Sequence, residues 1–239
     1  MNDNDLGKSK DILKKYHQEH LLDFYDEISD EQKNSLVNQI LSINFDEIFS
    51  LYDNSMTDNF ALTQKVTPLY HIEKSLMKDD EICFFTKLGE DVIKSNQFAV
   101  VTMAGGQGSR LGYKGPKGTY LLDLKPNKKS LFQIMCEDIK MANEKYNVTI
   151  PWFVMTSEEN NYATECFFKE NDFWGYPSDY VFFFKQGKLP IISVDKNLLL
   201  QEPYLIREAS NGNGNVFVSL KNAGMIDLMD KMNIKWTSF

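Results

Sequence analysis

The run Gln97-Phe-Ala-Val-Val-Thr-Met-Ala-Gly-Gly-Gln-Gly-Ser-Arg-Leu-Gly-Tyr-Lys-Gly-Pro-Lys-Gly118 decides the fold of this 239-residue chain. Its opening, Gln97 to Met103, is almost continuously apolar and rich in β-branched side chains. A run so short and so apolar suits a parallel strand buried on both faces. Glycines follow at once. Downstream, Ser130 sits in a capping position, and Leu131, Ile134, Met135 and Ile139 recur at helical spacing, so a helix is predicted to about Tyr146. Pro151 to Ser157 and Tyr180 to Lys185 read as two further strands, with a helix over about 158–170 between them. This alternation predicts an α/β fold with a mostly parallel sheet flanked by helices. Right-handed crossovers would gather the loops at the strands' carboxyl ends along one edge, where such folds bind ligands. Ile234 to Phe239 reads as the onset of another strand, so the chain is expected to be cut short inside this domain.

Upstream of the deciding stretch the texture changes, and residues 8 to about 50 read as helices. Ile12, Leu13 and Tyr16, then Leu36, Ile40 and Leu41, recur at helical spacing, and Ser29 followed by Gln32 marks a helix start near Glu31. Residues from Asn44 to about Ser75, punctuated by Asp, Asn and Pro68, read as a mixed connector. A helix over 79–95 carries Ile82, Phe85, Leu88 and Ile93, with Gly89 as its weak point. The expected division is an N-terminal helical extension over 1–95 and a C-terminally incomplete α/β domain over 96–239.

Composition excludes several classes. A formal net charge of −8 argues against a nucleic-acid partner, because a phosphate backbone needs a basic face. It leaves room for a small nucleotide, which needs only a local cationic pocket. The N-terminus, MNDNDLGKSKDILKKYHQEH, has no apolar core of the kind a secretory signal requires. No apolar run approaches the roughly 18 residues that span a bilayer. Three cysteines, Cys83, Cys136 and Cys166, with no CxxC spacing, read as reduced thiols of a cytoplasmic protein. His17 and His20, three apart on an expected helix, offer half a metal site with no third ligand in view, so they read as surface histidines.

The loop carries the chemistry. Four glycines in eight residues, Gly105, Gly106, Gly108 and Gly112, let the backbone turn sharply and approach a ligand closely. Amide groups exposed in such a turn form an anion nest. Arg110 adds a bidentate cation suited to phosphate, and Lys117 a compact second charge. Two familiar phosphate loops do not fit. Gly112 is followed by Tyr113, so GxxxxGK[ST] fails, and Gly112 lies one residue too late for GxGxxG after Gly106 and Gly108. An NTPase or a dehydrogenase is therefore disfavoured.

Ala104-Gly-Gly-Gln-Gly-Ser-Arg-Leu-Gly112 with Gly115-Pro-Lys-Gly118 resembles the signature loop of the eukaryotic-type UDP-sugar pyrophosphorylases, and within them the UDP-N-acetylglucosamine pyrophosphorylase branch. The likeness continues in Ser130-Leu-Phe-Gln133, in Trp152 to Ser157, in Phe184-Lys-Gln-Gly-Lys-Leu-Pro190 and in Asn211-Gly-Asn-Gly-Asn215. The resemblance implies a nucleotidyltransferase, Rossmann-like fold and a uridylyl transfer. UTP and a sugar 1-phosphate would give a UDP-sugar, UDP-N-acetylglucosamine first, and pyrophosphate. Glucose or galactose 1-phosphate is the alternative substrate, and a non-catalytic nucleotide-binding remnant the alternative class.

By the same resemblance, Met103, Ala104, Gly105 and Gly106 would contact the uracil end and phosphates. Arg110 and Lys117 would serve the triphosphate as the catalytic cations. Gln186 would read uracil, Gly212 would contact the nucleotide, and Asn213 the sugar. Mg²⁺ is expected with UTP, and the family's metal-binding aspartate would lie past Phe239. The chain alone is therefore expected to bind UTP weakly and turn over poorly. The second loop departs from the family pattern at Asn215, where a glycine is usual. The sequence is silent on oligomeric state.

Overall fold

A computed structural model describes residues 3–56 and 67–239. The chain groups into two compact units, Met1–Pro68 with Lys188–Ala209, and Leu69–Gly187 with Ser210–Phe239. The change of sequence texture near residue 96 is thus not where these contacts divide, because segment 188–209 joins the N-terminal helices.

In the first unit α1 spans Asp3–Lys15, α2 Asp30–Ser42 and α3 Phe45–Met56. The predicted start at Ser29 is a capping box. Gln32 N–H donates to Ser29 Oγ at 3.3 Å, and Ser29 N–H donates to Gln32 Oε1 at 3.0 Å. The first half of α3 falls within the helical reading to about residue 50, and its second half corrects the connector reading: Phe45, Ile48 and Phe49, spaced by three and four, are buried and anchor a helix that runs on through Asp53 and Asn54. Residues 57–66 of that connector lie outside the described residues. Two glutamines attach segment 188–209 as neighbouring backbone would. Gln18 Oε1 accepts from Leu198 N–H at 2.8 Å while its Nε2 donates to Lys196 O at 3.0 Å. Gln39 Oε1 accepts from Ile206 N–H at 2.8 Å while its Nε2 donates to Ile206 O at 3.0 Å. Leu198 and Ile206 then complete a core with Leu13, Leu36 and Ile40. His17 and His20 do not share a helix face. His17 follows α1 at φ 56°, and His20 sits in a separate 3-10 turn with Nε2 2.8 Å from Leu198 O.

The main sheet of the second unit has four strands: β1 (Phe98–Met103), β2 (Trp152–Thr156), β3 (Val181–Lys185) and β4 (Trp236–Ser238). Their order is β4-β1-β2-β3, all parallel, in the register Phe98↔Trp236, Val100↔Trp152 and Trp152↔Val181. Helix α4 (Asp79–Lys94) precedes β1, α5 (Leu131–Tyr146) lies between β1 and β2, and α6 (Asn161–Glu170) precedes β3. Helices α7 (Val216–Asn222) and α8 (Met225–Lys231) lead into β4. Every residue of β2 is buried, as its unbroken apolar run requires. Trp152 and Val154 pack with Phe132, Cys136 and Phe168 on one face. Phe153 and Met155 pack with Val216, Leu220 and Met229 on the other. Burial in the first cluster pushes the Cys136 thiol up to about 11 and the Tyr176 phenol up to about 12.

All three cysteines are free. Strand β4 is an edge strand, exposed throughout, and Trp236 on it is 62% exposed. Among the described residues no helix is long and apolar enough to cross a membrane. Because the strands are parallel, the segments after β1, β2 and β3 emerge at one edge of the sheet.

Candidate functional site

The loop after β1 begins with Ala104 N–H donating to Met155 O at 2.6 Å, one residue past the strand. It then doubles back on itself. Gly108 N–H donates to Gly115 O at 2.8 Å and Lys117 N–H to Gly106 O at 3.0 Å, so the Pro116-Lys117 segment lies beside the first turn. Tyr113 fills the interior of this fold. A Cβ on Gly108 would lie 2.7 Å from its ring and one on Gly115 2.9 Å, which accounts for two glycines of the motif by close packing alone. Tyr113 Oη and Thr119 Oγ1 are 2.8 Å apart, and Thr119 Oγ1 donates to Pro116 O at 2.8 Å.

The turn at its head is held from the neighbouring strand. Asn160, 1% exposed, donates from Nδ2 to Ala104 O at 3.0 Å and Gly106 O at 3.4 Å. Its Oδ1 accepts from Ser157 N–H at 2.8 Å. Sequence reasoning missed this residue: Glu158-Glu159-Asn160-Asn161 reads only as the polar start of the helix expected over about 158–170, and its partners lie more than fifty residues away. Among the described residues the amides of Gly105, Gly106 and Gln107 have no backbone acceptor. They are available to an anion.

A cavity of about 280 Å³ opens beside this turn. Met103, Ala104, Gly106, Lys117 and Asn213 line it, with Phe132 and Met135 among its apolar walls. Gly105, Gly212, Gln186 and Arg110 are not in that lining. Arg110 is exposed on a 3-10 turn, Ser109–Leu111. Neither Arg110 nor Lys117 forms an ion pair among the described residues. Lys117, unspent at the wall of a cavity beside unbonded amides, favours an anion over a neutral ligand.

Gln186, just past β3, is 7% exposed, and its N–H donates to Thr156 O at 2.8 Å. Its amide rests on Gly105 so closely that a Cβ there would stand 2.5 Å from Nε2. Gly187 ties this segment to the second glycine loop: its O accepts from Asn211 N–H at 2.9 Å, and its N–H donates to Asn215 Oδ1 at 3.0 Å. Ser219 Oγ also donates to Asn215 Oδ1, at 2.7 Å. The residue that departs from the family pattern is thus the one that docks the loop. Gly212 takes φ 76°, which a side chain would strain, and Asn213 opens the turn that reaches the cavity. Among the described residues no three of His, Cys, Asp and Glu cluster as metal ligands.

An open parallel sheet with a glycine-lined cavity at its carboxyl edge defines the α/β class whose ligands bind at the strand ends. The sequence profile described as UTP--glucose-1-phosphate uridylyltransferase matches residues 43–237, and the chain belongs to that family. It is 32% identical over 240 residues to UDP-N-acetylglucosamine diphosphorylase 2 of Arabidopsis thaliana, a match covering 94% of this chain and 47% of the relative. It is 38% identical over 156 residues to the UDP-N-acetylglucosamine pyrophosphorylase of Saccharomyces cerevisiae, covering 63% of this chain and 32% of that one. The fold matches the crystal structure of the uridine diphosphate N-acetylglucosamine pyrophosphorylase of Trypanosoma brucei with a TM-score of 0.73 and 24% identity, over 99% of this chain and 51% of the other. The chain spans about half the length of the curated relatives it matches.

Proposed function

We propose that this chain provides the UTP-binding portion of a UTP:sugar-1-phosphate uridylyltransferase. The observation that carries the reading is the cavity where the unbonded amide turn, Lys117 and Asn213 meet. N-acetylglucosamine 1-phosphate is the preferred acceptor in this reading, because relatives bearing that sugar's name align along most of the chain. Glucose 1-phosphate, the sugar in the family's description, is the second reading.

The acceptor phosphate oxygen is already ionised at neutral pH, so no general base is needed. Catalysis reduces to alignment of that oxygen with the α-phosphorus and to neutralisation of charge. Lys117 sits at the cavity wall for the second task. Arg110, on its exposed turn, reaches a triphosphate extending from that wall. Gln186 carries a donor and an acceptor on one amide, which matches a pyrimidine edge. Gly212 shapes the loop, and Asn213 holds the sugar. Mg²⁺, when bound, would neutralise phosphate charge, and the residues described here leave its ligation to the nucleotide and to groups outside them. The same reading takes the chain to be cytoplasmic.

Titration calorimetry tests it. UTP with Mg²⁺ should bind more tightly than CTP, ATP or NAD, and a preference for ATP or NAD would defeat the assignment. Lys117→Ala should weaken UTP by about tenfold, the worth of one charge-assisted hydrogen bond. Its fold should be unaffected, since the side chain is exposed.

A further inference from the structure

We infer that Asn160 is a positioning residue that aims the amides of the Gly105–Gln107 turn at a polyphosphate, an inference that rests on the nucleotide reading above. In a trans peptide the carbonyl and the following N–H point in opposite directions. The described non-proline peptides here are trans, the one cis bond being Lys125-Pro126. The Asn160 amide nitrogen holds the carbonyls of Ala104 and Gly106 together on its own side. The N–H groups of Gly105 and Gln107 must therefore point away from it. Those are two of the three amides that lack a backbone acceptor. Without the clamp, the Ala104–Gly105 peptide plane could rotate at little cost and present an oxygen to an anion instead, while the Gly106 carbonyl would keep only its bond from Lys117 N–H.

Asn160 itself has little freedom. Its Oδ1 is engaged by Ser157 N–H, it stands at the head of α6, and its own carbonyl accepts from Thr164 N–H at 2.9 Å. The clamp also reaches Lys117, because Gly106 O accepts the Lys117 N–H as well. One carbonyl thus registers the amide turn and the cation against each other. A carboxamide is suited to this post, since it accepts at one end and donates twice at the other without adding charge. Aspartate would keep the acceptor for Ser157 N–H but set a carboxylate oxygen against two carbonyls.

The test is calorimetry on the full chain and Asn160→Asp, each titrated with UTP and with UMP in Mg²⁺. A positioning role predicts that UTP affinity falls about tenfold, the loss of one charge-assisted hydrogen bond, while UMP falls by less than about threefold. The ratio of the two affinities is the readout, because a merely structural defect lowers both in proportion. A variant that binds UTP as the parent does, or that loses UTP and UMP equally, overturns the inference. If the parent itself binds no UTP, the nucleotide reading fails first and takes the inference with it. Should Asn160→Asp fail to fold by circular dichroism, Asn160→Ser, which is uncharged but too short to span both carbonyls, is titrated and judged by the same ratio.

Discussion

The two glycine loops that meet at the cavity are shaped by different physics. In the loop over 105–118 four of the glycines, Gly105, Gly108, Gly115 and Gly118, make room, while Gly106 and Gly112 have open space around them. A Cβ on Gly118 would stand 2.1 Å from the ring of buried Phe132, and one on Gly105 2.5 Å from the Gln186 amide. In the loop over 211–215 space is abundant: a Cβ on Gly212 or Gly214 would meet nothing within 4 Å. There only Gly212 is needed, for its φ of 76°, and the loop is secured by one side chain, Asn215. A crowded loop resists substitution at many positions; an open loop resists it at few. Glycine-rich sequence by itself therefore says little about why each glycine is there.

Substitutions can break or sharpen this contrast. Gly118→Ala should cost most, about 3 kcal/mol of unfolding free energy, because the obstructing ring belongs to the packed core. An unchanged denaturation midpoint would show that Phe132 yields and that the first loop is not crowded there. Asn215→Ala should follow, at about 1–2 kcal/mol, since it removes the acceptor of the Ser219 hydroxyl and leaves the Gly187 N–H only its longer bond to Ser219 Oγ at 3.2 Å. Urea denaturation with an unaltered slope would register it. Gly105→Ala should cost about 1 kcal/mol or less, because the obstruction is the mobile end of Gln186. Its larger consequence should be on UTP, weakened about tenfold in calorimetry as Gln186 is displaced. Gly214→Ala should stay within about 0.5 kcal/mol of the parent in thermal unfolding. A larger loss would mean the second loop is tighter than its empty surroundings imply.

How much of this could be read from the chain depended on range in sequence. β1 and its glycines, the Ser29 and Ser130 caps and the onset of β4 are local patterns, and each lies where its spacing predicts. The second half of α3, past the helical reading to about residue 50, was hidden because its buried side chains, Phe45, Ile48 and Phe49, all lie in the first half and Asp53, Asn54 and Ser55 punctuate the rest. Asn160, Gln18 and Gln39 were illegible for another reason. Each serves backbone far away in the chain, and a lone Asn or Gln in a polar stretch carries no sign of its partner. Of the loop residues singled out in advance, Met103, Ala104, Gly106, Lys117 and Asn213 meet at one cavity, while Arg110 and Gly212 stand outside its lining. Motifs place residues on the correct loop, but which of them face a common space is decided by packing.

The exposed margin of the sheet gives the molecule an optical handle. Of its three tryptophans, Trp236 is 62% exposed on the edge strand while Trp152 is fully shielded at the sheet's centre. Acrylamide should quench the two as separate emitters, one quickly and one hardly at all. Anything that settles on that margin would shift the fast component to the blue and leave the slow one where it was.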